Sequence, residues 1–202
     1  MHLSRRQFFA RFSQSMVASV LPRRRRPDSA TLPENRTVNR PARKWIRPPG
    51  ALPEPQFHAT CTRCTDCAEA CPYDSIRRLG PEFGPAAGTP AIIPTESPCY
   101  LCEDMPCIAA CEPKALVQLP VQDVNMGLAV LDPASCYLSQ GQPCDYCLTR
   151  CPLGAQAIAL GPESIPLIDQ KGCTGCGVCA YLCPADALTI IPAMMLKQGA
   201  VA

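Results

Sequence analysis

The chain has 202 residues, of which 24 are proline, 16 are cysteine and only 5% are aromatic, so it has few large side chains with which to fill a core. No stretch of about 18 apolar residues occurs, which argues against a membrane-spanning helix. The net charge of +2 combines +10 in residues 1–50 with −8 in residues 51–202, and nothing in this distribution is typical of nucleic-acid readout.

Residues 1–21 have the pattern of an export leader. Residues 4–9 read Ser-Arg-Arg-Gln-Phe-Phe, which matches the twin-arginine signal for moving folded proteins across the bacterial inner membrane. The segment that follows is only moderately apolar, and four arginines at residues 23–26 replace the expected small-residue cleavage site. A basic amphipathic helix that rests on a membrane or binds a partner is the alternative. The pattern favours the periplasmic face of the inner membrane over the cytoplasm.

Residues 22–50 form a basic, proline-rich linker, which is expected to be extended and flexible rather than folded. Its last residues, from Trp45 onward, are expected to lie against the folded body. The body is predicted to span residues 51–192, and residues 193–202 are predicted to be a C-terminal tail.

The sixteen cysteines fall into four motifs of four, with none left over. The first and fourth have the spacing Cys-x2-Cys-x2-Cys-x3-Cys-Pro, which is typical of bacterial ferredoxins that bind 4Fe–4S clusters. The second and third are stretched variants, and the second has Glu112 before its proline. In chain order the motifs are Cys61, Cys64, Cys67 and Cys71; Cys99, Cys102, Cys107 and Cys111; Cys136, Cys144, Cys147 and Cys151; and Cys173, Cys176, Cys179 and Cys183.

This spacing suits the chemistry of iron–sulfur clusters, because iron in sulfide surroundings prefers soft thiolate ligands. Three closely spaced cysteines let one loop curl round a cluster with its N–H groups directed inward, and Gly175 and Gly177 allow a close approach of the main chain. In two-cluster ferredoxins the fourth cysteine ligates the other cluster, so motifs work in pairs. Sixteen thiolates therefore predict four 4Fe–4S clusters.

Two other interpretations of the cysteines are weaker. Zinc ribbons use Cys-x2-Cys pairs separated by about 15–20 residues, not four cysteines packed within eleven. Disulfide frameworks belong to small secreted domains, and these neighbouring cysteines lie too close together to sort into separate bridges.

The motifs begin at residues 61, 99, 136 and 173, a nearly constant step that indicates an internal repeat. Short apolar runs bounded by Pro and Gly predict strands at residues 75–79, 91–93, 115–119, 127–131, 157–160, 165–168 and 187–191. Each unit is then strand, cysteine loop, short helix and strand. The expected fold is α+β, with two ferredoxin-like two-cluster modules, each built from two units.

The residues predict an electron carrier rather than an enzyme. The sequence has no Ser/His/Asp constellation, phosphate loop or nucleotide fingerprint, its only histidines are His2 and His58, and no small-molecule substrate is evident. The acidic body suits docking on basic patches of redox partners.

Several segments together resemble the NapG/MauM family of ferredoxin-type proteins. They are residues 47–51 (Arg-Pro-Pro-Gly-Ala), 70–74 (Ala-Cys-Pro-Tyr-Asp), 88–90 (Gly-Thr-Pro), 102–107 (Cys-Glu-Asp-Met-Pro-Cys) and 126–131 (Met-Gly-Leu-Ala-Val-Leu), with the four motifs in order. The resemblance implies four 4Fe–4S clusters that relay electrons from a membrane-bound quinol-oxidising protein to a periplasmic redox enzyme subunit. It is less complete at the leader, where family members usually have a longer apolar stretch. The sister NapF-type proteins imply the alternative, a cytoplasmic maturation factor for a molybdoenzyme-like partner.

The resemblance extends to four-cluster subunits of molybdenum enzymes, in which the first motif pairs with the fourth and the second with the third. Sequential pairing, first with second and third with fourth, stays open because spacing does not distinguish the two. The pairing implied by the resemblance gives four ligand sets: Cys61, Cys64, Cys67 and Cys183; Cys173, Cys176, Cys179 and Cys71; Cys99, Cys102, Cys107 and Cys151; and Cys136, Cys144, Cys147 and Cys111.

Overall fold

The computed structural model of the protein describes residues 45–196. It has six short strands: β1 (Ile76–Arg78), β2 (Pro90–Ile92), β3 (Gly127–Leu131), β4 (Ile158–Leu160), β5 (Pro166–Ile168) and β6 (Leu188–Pro192). Its α-helices are α1 (Glu54–Thr60), α2 (Asp66–Glu69), α3 (Pro106–Ala109), α4 (Tyr146–Thr149), α5 (Val178–Leu182) and α6 (Ala193–Leu196). Four 3-10 turns occupy Pro81–Ala86, Val121–Asp123, Gly154–Gln156 and Pro162–Ser164.

Two antiparallel hairpins link the cysteine motifs. Strands β1 and β2 pair with Ile76 opposite Ile92, and they carry the chain from the first motif to the second. Strands β4 and β5 pair with Ile158 opposite Ile168 and connect the third motif to the fourth. We call residues 45–123 the first half and residues 124–196 the second half. In each half a hairpin returns the chain so that its two motifs lie side by side.

A second strand pair closes the second half. Strands β3 and β6 flank its two motifs in sequence and pair antiparallel over five residues, from Gly127 opposite Pro192 to Leu131 opposite Leu188. In the first half the same place holds only an isolated bridge between Ala51 and Leu116. The strand predicted at residues 115–119 is therefore absent. Its partner segment contains Pro48 and Pro49, which have no N–H to donate to a ladder.

Residues 45–50, which were predicted to end the linker, pack onto the body. Ile46 is fully buried and exchanges both backbone hydrogen bonds with Ile92, at 2.8 and 2.9 Å. The buried Arg47 guanidinium donates to both carboxylate oxygens of Glu54, at 2.7 and 2.9 Å, and lies over the Phe57 ring. Burial alone would raise the pKa of Glu54, but Arg47 and His58 outweigh it and hold that pKa below its usual value. This buried ion pair fixes the start of the folded body before residue 51.

One continuous hydrophobic core runs through both halves, and six cysteines belong to it: Cys67, Cys99, Cys107, Cys111, Cys147 and Cys176. Most of the remaining core side chains are Ile, Leu, Met, Val or Ala, with Phe57 as the single aromatic member. A smaller cluster of Leu79, Ala86 and Ala91 packs under Trp45 and Phe83. Thiols thus occupy interior space that aromatic side chains fill in other small domains.

The twin-arginine pattern, the linker before Trp45 and residues 197–202 lie outside the described residues. Ala193–Leu196, at the start of the predicted tail, forms the short helix α6. None of the helices between residues 45 and 196 is long and apolar enough to cross a membrane.

Candidate metal centres

Two partly open cavities, one in each half, are lined by four cysteines apiece. The first-half cavity has an empty volume of about 350 Å³ and is lined by Cys71, Cys99, Cys102 and Cys107. The second-half cavity has an empty volume of about 360 Å³ and is lined by Cys151, Cys173, Cys176 and Cys179. No residue lining either cavity is charged. Each cavity joins the fourth cysteine of one motif to the first three cysteines of the next.

The other eight cysteines form two further groups. Cys111 lies near enough to Cys67 to raise the pKa of its thiol, behind the larger effect of burial, and Cys61 and Cys64 act in the same way. Burial likewise raises the pKa of Cys147, and the neighbouring Cys136, Cys144 and Cys183 add to the increase. In these groups the fourth cysteine comes from the later motif of the same half.

Within the described residues, the structure groups the cysteines differently from the pairing of motifs that the resemblance implied. Cys71 does not join Cys173, Cys176 and Cys179, and Cys183 does not join Cys61, Cys64 and Cys67. Cys151 lines the second-half cavity instead of joining the second motif, and Cys111 lies near Cys67 instead of joining the third motif. Chain connectivity is the physical reason. Each hairpin folds consecutive motifs together, so that α2 packs on α3 and α4 packs on α5.

The thiol groups are too open for a single ion. Tetrahedral zinc requires its sulfur ligands at about 2.3 Å. Within residues 45–196, no group of three or more His, Cys, Asp or Glu side chains is arranged to hold a metal ion. Thiols spread round a cavity of this kind suit a larger inorganic core with several iron corners.

Burial raises the pKa of several of the interior thiols. It raises the pKa of Cys67 and Cys99 to about 12, and that of Cys107, Cys147 and Cys176 to about 11. Iron binds thiolate, so ligation must displace these protons. Because four buried thiolates are unfavourable without a compensating cation, metal binding contributes directly to the stability of the fold.

Backbone amides also approach the sulfur atoms. The Leu116 amide donates to Cys111 Sγ and the Ala187 amide donates to Cys183 Sγ, both at 3.3 Å. The two donors lie five and four residues after the last cysteine of their halves. Hydrogen bonds to the sulfurs are one of the means by which a protein sets cluster potential.

The two cavities meet at a direct contact between the halves. The Cys99 amide donates to the Cys176 carbonyl at 3.0 Å. Gly177 lies so close to Pro94 of the first half that a Cβ there would be 2.4 Å from Pro94 Cβ. Within the second half, a Cβ on Gly175 would lie 2.4–2.5 Å from the backbone of Gly127. The loop of the fourth motif therefore packs against both the first half and the start of β3.

An aromatic pair covers the first-half cavity. The rings of Tyr73 and Tyr100 both line it, and their centroids are 4.4 Å apart. Half of Tyr73 and 37% of Tyr100 remain exposed. Both rings line the cavity and remain partly exposed, which places that site near the protein surface.

Sequence reasoning did not single out Ser139 and Thr174, whose side-chain hydroxyls are buried and make no hydrogen bond within the described residues. Thr174 is one residue after Cys173 and Ser139 is three residues after Cys136, but Ser and Thr occur in loops for many reasons. No pattern in the sequence marks their hydroxyls as buried.

Comparison with known proteins agrees with this chemistry. The family model described as a 4Fe-4S binding domain matches residues 166–189. The chain is 37% identical over 167 residues to the ferredoxin-type protein NapG of Escherichia coli K12, covering 75% of this chain and 72% of the relative. It is 42% identical over 169 residues to the methylamine utilization ferredoxin-type protein MauM of Methylophilus methylotrophus, covering 76% and 74%. The ferredoxin-type protein NapF of Escherichia coli K12 is 29% identical over 154 residues, covering 74% and 87%.

Proposed function

The chain belongs to the NapG/MauM family of ferredoxin-type proteins, and on this premise we propose that it is a one-electron carrier that holds four 4Fe–4S clusters. The observation that carries the proposal is the grouping of all sixteen cysteines into four sets of four, two of them around uncharged cavities. A 4Fe–4S cluster supplies reversible one-electron chemistry when it is bound. The thiolates hold it, and the apolar walls keep water away.

The proposed ligand sets follow the geometry of the two halves. Each half is one two-cluster ferredoxin-like module. Its inner set is the one that lines the cavity and contacts the other half, and its outer set is the other group of four cysteines. The sets are Cys61, Cys64, Cys67 and Cys111; Cys71, Cys99, Cys102 and Cys107; Cys151, Cys173, Cys176 and Cys179; and Cys136, Cys144, Cys147 and Cys183.

The contact between the halves supports a continuous path. The hydrogen bond from the Cys99 amide to the Cys176 carbonyl joins the two inner ligand loops without an intervening side chain. This contact holds the two inner sets at a fixed separation. The order along the path is then outer and inner set of the first half, followed by inner and outer set of the second half.

The proposed partners are a membrane-bound quinol-oxidising protein as donor and a redox enzyme subunit as acceptor, by analogy with the NapG and MauM relatives. Net negative charge on residues 51–202 favours docking on basic surfaces of such partners. The similarity to NapF favours a second candidate function, a maturation factor that delivers clusters to an apo-enzyme.

Reversible bleaching distinguishes the two functions. The protein purified without air is expected to be brown, to bleach with dithionite, and to recover its colour when an oxidised one-electron acceptor is added. A carrier retains its iron through repeated cycles, because its thiolates never leave the metal. Transfer of iron to an added apo-enzyme, with loss of colour from this chain, would favour the maturation factor instead.

The proposed location is the periplasmic face of the inner membrane, with the cytoplasm as the alternative. Replacing Arg5 and Arg6 by lysine is expected to abolish export, because the export machinery requires the arginine pair. Simple adhesion to anionic lipid is expected to stay nearly unchanged, because the substitution keeps both positive charges. Fractionation of cells that produce the full chain measures this. An unchanged distribution would support the cytoplasmic alternative and a leader that acts as a docking arm.

A further inference from the structure

Tyr73 and Tyr100 form an aromatic pair on the wall of the first-half cavity, with their ring centroids 4.4 Å apart. Two hydroxyl groups fasten together the segments that carry them. The buried Ser75 hydroxyl donates to the Pro98 carbonyl at 2.6 Å, and the Ser97 hydroxyl donates to the Tyr73 carbonyl at 3.3 Å. The pair is therefore held beside the cysteines, although 50% of Tyr73 and 37% of Tyr100 are exposed.

The second-half cavity is lined differently at the equivalent positions. Counted from the cysteines, Leu153 takes the place of Tyr73 and Thr174 takes the place of Tyr100. Leu153 is partly buried in the core and Thr174 is only 3% exposed. None of the residues that line this cavity is aromatic. Of the two inner sets, only that of the first half thus has exposed aromatic side chains on its cavity wall.

The other three tyrosines of the chain are exposed to a similar extent, but they line neither of these two cavities. They are Tyr137, Tyr146 and Tyr181. Exposure alone therefore does not distinguish the first-half pair, whereas its ring contact and its place on the cavity wall do. Tyrosine is enriched in the centres of protein interfaces, where a rigid amphipathic ring supplies a large contact area.

Acidic side chains adjoin the aromatic pair. Asp74 follows the first tyrosine, Glu103 and Asp104 follow a cysteine of the same cavity, and all three are exposed. The nearest basic residue in the sequence, Arg77, forms an ion pair with Glu96 at 3.0 Å. A surface of this charge attracts a basic protein, and it repels both an anionic membrane and the same surface on a second copy of the chain.

We call the two rings and the three acidic side chains the tyrosine face; it consists of Tyr73, Asp74, Tyr100, Glu103 and Asp104. We propose that the tyrosine face is the docking surface for a redox protein with a basic surface, and that electrons pass there between this partner and the first-half inner set. The inference rests on the proposed function, because it requires a bound cluster. One electron crosses the face, so that one side is oxidised and the other reduced, with no bond made or broken and no proton transferred. The exchange point is then the second of the four sets on the path and not one of its ends.

The first test is a footprint that requires no electron transfer. The full protein, purified without air and kept oxidised, is mixed in about 0.01 M salt with oxidised cytochrome c, a basic one-electron carrier, and exposed side chains are labelled with a photogenerated carbene. Tyr73 and Tyr100 are expected to lose most of their label, while Tyr137, Tyr146 and Tyr181 keep theirs and serve as internal controls of similar exposure. Salt at about 1 M is expected to restore the label, because it screens charges beyond about 3 Å.

The second test removes the charge of the tyrosine face. The variant combines Asp74→Asn, Glu103→Gln and Asp104→Asn. Its second-order rate constant for the reduction of cytochrome c is expected to fall about tenfold at low salt, because attraction between opposite charges speeds association, and to change little in about 1 M salt.

The matched control removes the same charge from three exposed residues of the second half; it combines Asp145→Asn, Glu163→Gln and Asp186→Asn. It is expected to leave the rate constant and the footprint nearly unchanged, because these residues lie outside the tyrosine face.

Iron content separates the possible failures. A wild-type protein without iron and sulfide would refute the proposed function itself. A loaded wild type whose Tyr73 and Tyr100 stay labelled, or a second-half control that slows the reaction as much as the tyrosine-face variant, would overturn the inference alone. Protection of the two rings that grows with protein concentration in the absence of cytochrome c would identify a second copy as the occupant, and it would overturn the inference as well. The footprint uses wild type, so it decides the outcome even where a variant does not load.

Discussion

Replacement of Cys71 by alanine is expected to make Cys99, Cys102 and Cys107 reactive to alkylation while Cys173, Cys176 and Cys179 stay protected. The cavity in the structure assigns Cys71 to the first of these groups. Removing one of four ligands releases or degrades that cluster, and the loss is expected to reach about four iron atoms per chain. Iodoacetamide labelling of the anaerobic protein, followed by peptide mass mapping, identifies which thiols become free.

The reciprocal control is Cys151→Ala, which removes the equivalent ligand of the second half. It is expected to free Cys173, Cys176 and Cys179 and to leave the second motif protected. The pairing of the first motif with the fourth, and of the second with the third, gives the opposite labelling pattern for both variants. Observation of that opposite pattern would reject the sequential pairing.

Replacement of Gly175 by alanine is expected to lower the free energy of unfolding by about 2–5 kcal/mol, which combines left-handed backbone strain with overpacking. Gly175 has φ +71° and a Cβ there would lie 2.4–2.5 Å from the Gly127 backbone. Because backbone cannot move aside as a flexible side chain does, the contact between the loop of the fourth motif and the start of β3 has to open. The midpoint of urea-induced loss of visible absorbance measures the effect.

Gly141 is the matched control for this variant. Its φ of +78° is similar, but a Cβ there meets nothing within 4 Å. Gly141→Ala is therefore expected to cost only the backbone strain, about 1–2 kcal/mol. Equal shifts of the urea midpoint in the two variants would show that the contact between Gly175 and Gly127 contributes nothing to stability.

The spacing within a motif is enough to predict which three thiols curl round one site, because loop geometry is local. The source of the fourth ligand is not local. Cys71-Pro72 and Cys183-Pro184 present the same sequence features, so spacing is compatible with either pairing. The hairpins β1/β2 and β4/β5 decide between them by returning the chain within each half.

The predicted strands likewise depend on local composition for their position and on tertiary contacts for their pairing. Six of the seven predicted apolar runs coincide with strands, whereas residues 115–119 form only a bridge to Ala51. Apolar composition predicts that a segment can pair as a strand. The number of ladder hydrogen bonds depends on the partner segment, which here contains Pro48 and Pro49 and lacks their N–H donors. Thr174 shows the same limit for the site, because burial of its hydroxyl arises from tertiary packing that no motif encodes.

The most direct test of four clusters per chain is the iron and acid-labile sulfide content of protein purified without air. Four sets of four thiolates predict about sixteen iron and about sixteen sulfide per chain. Such a preparation should contain no thiol that reacts before the metal is removed. A preparation that saturates near eight iron, with the remaining cysteines free or bound to zinc, would contradict the four-cluster account.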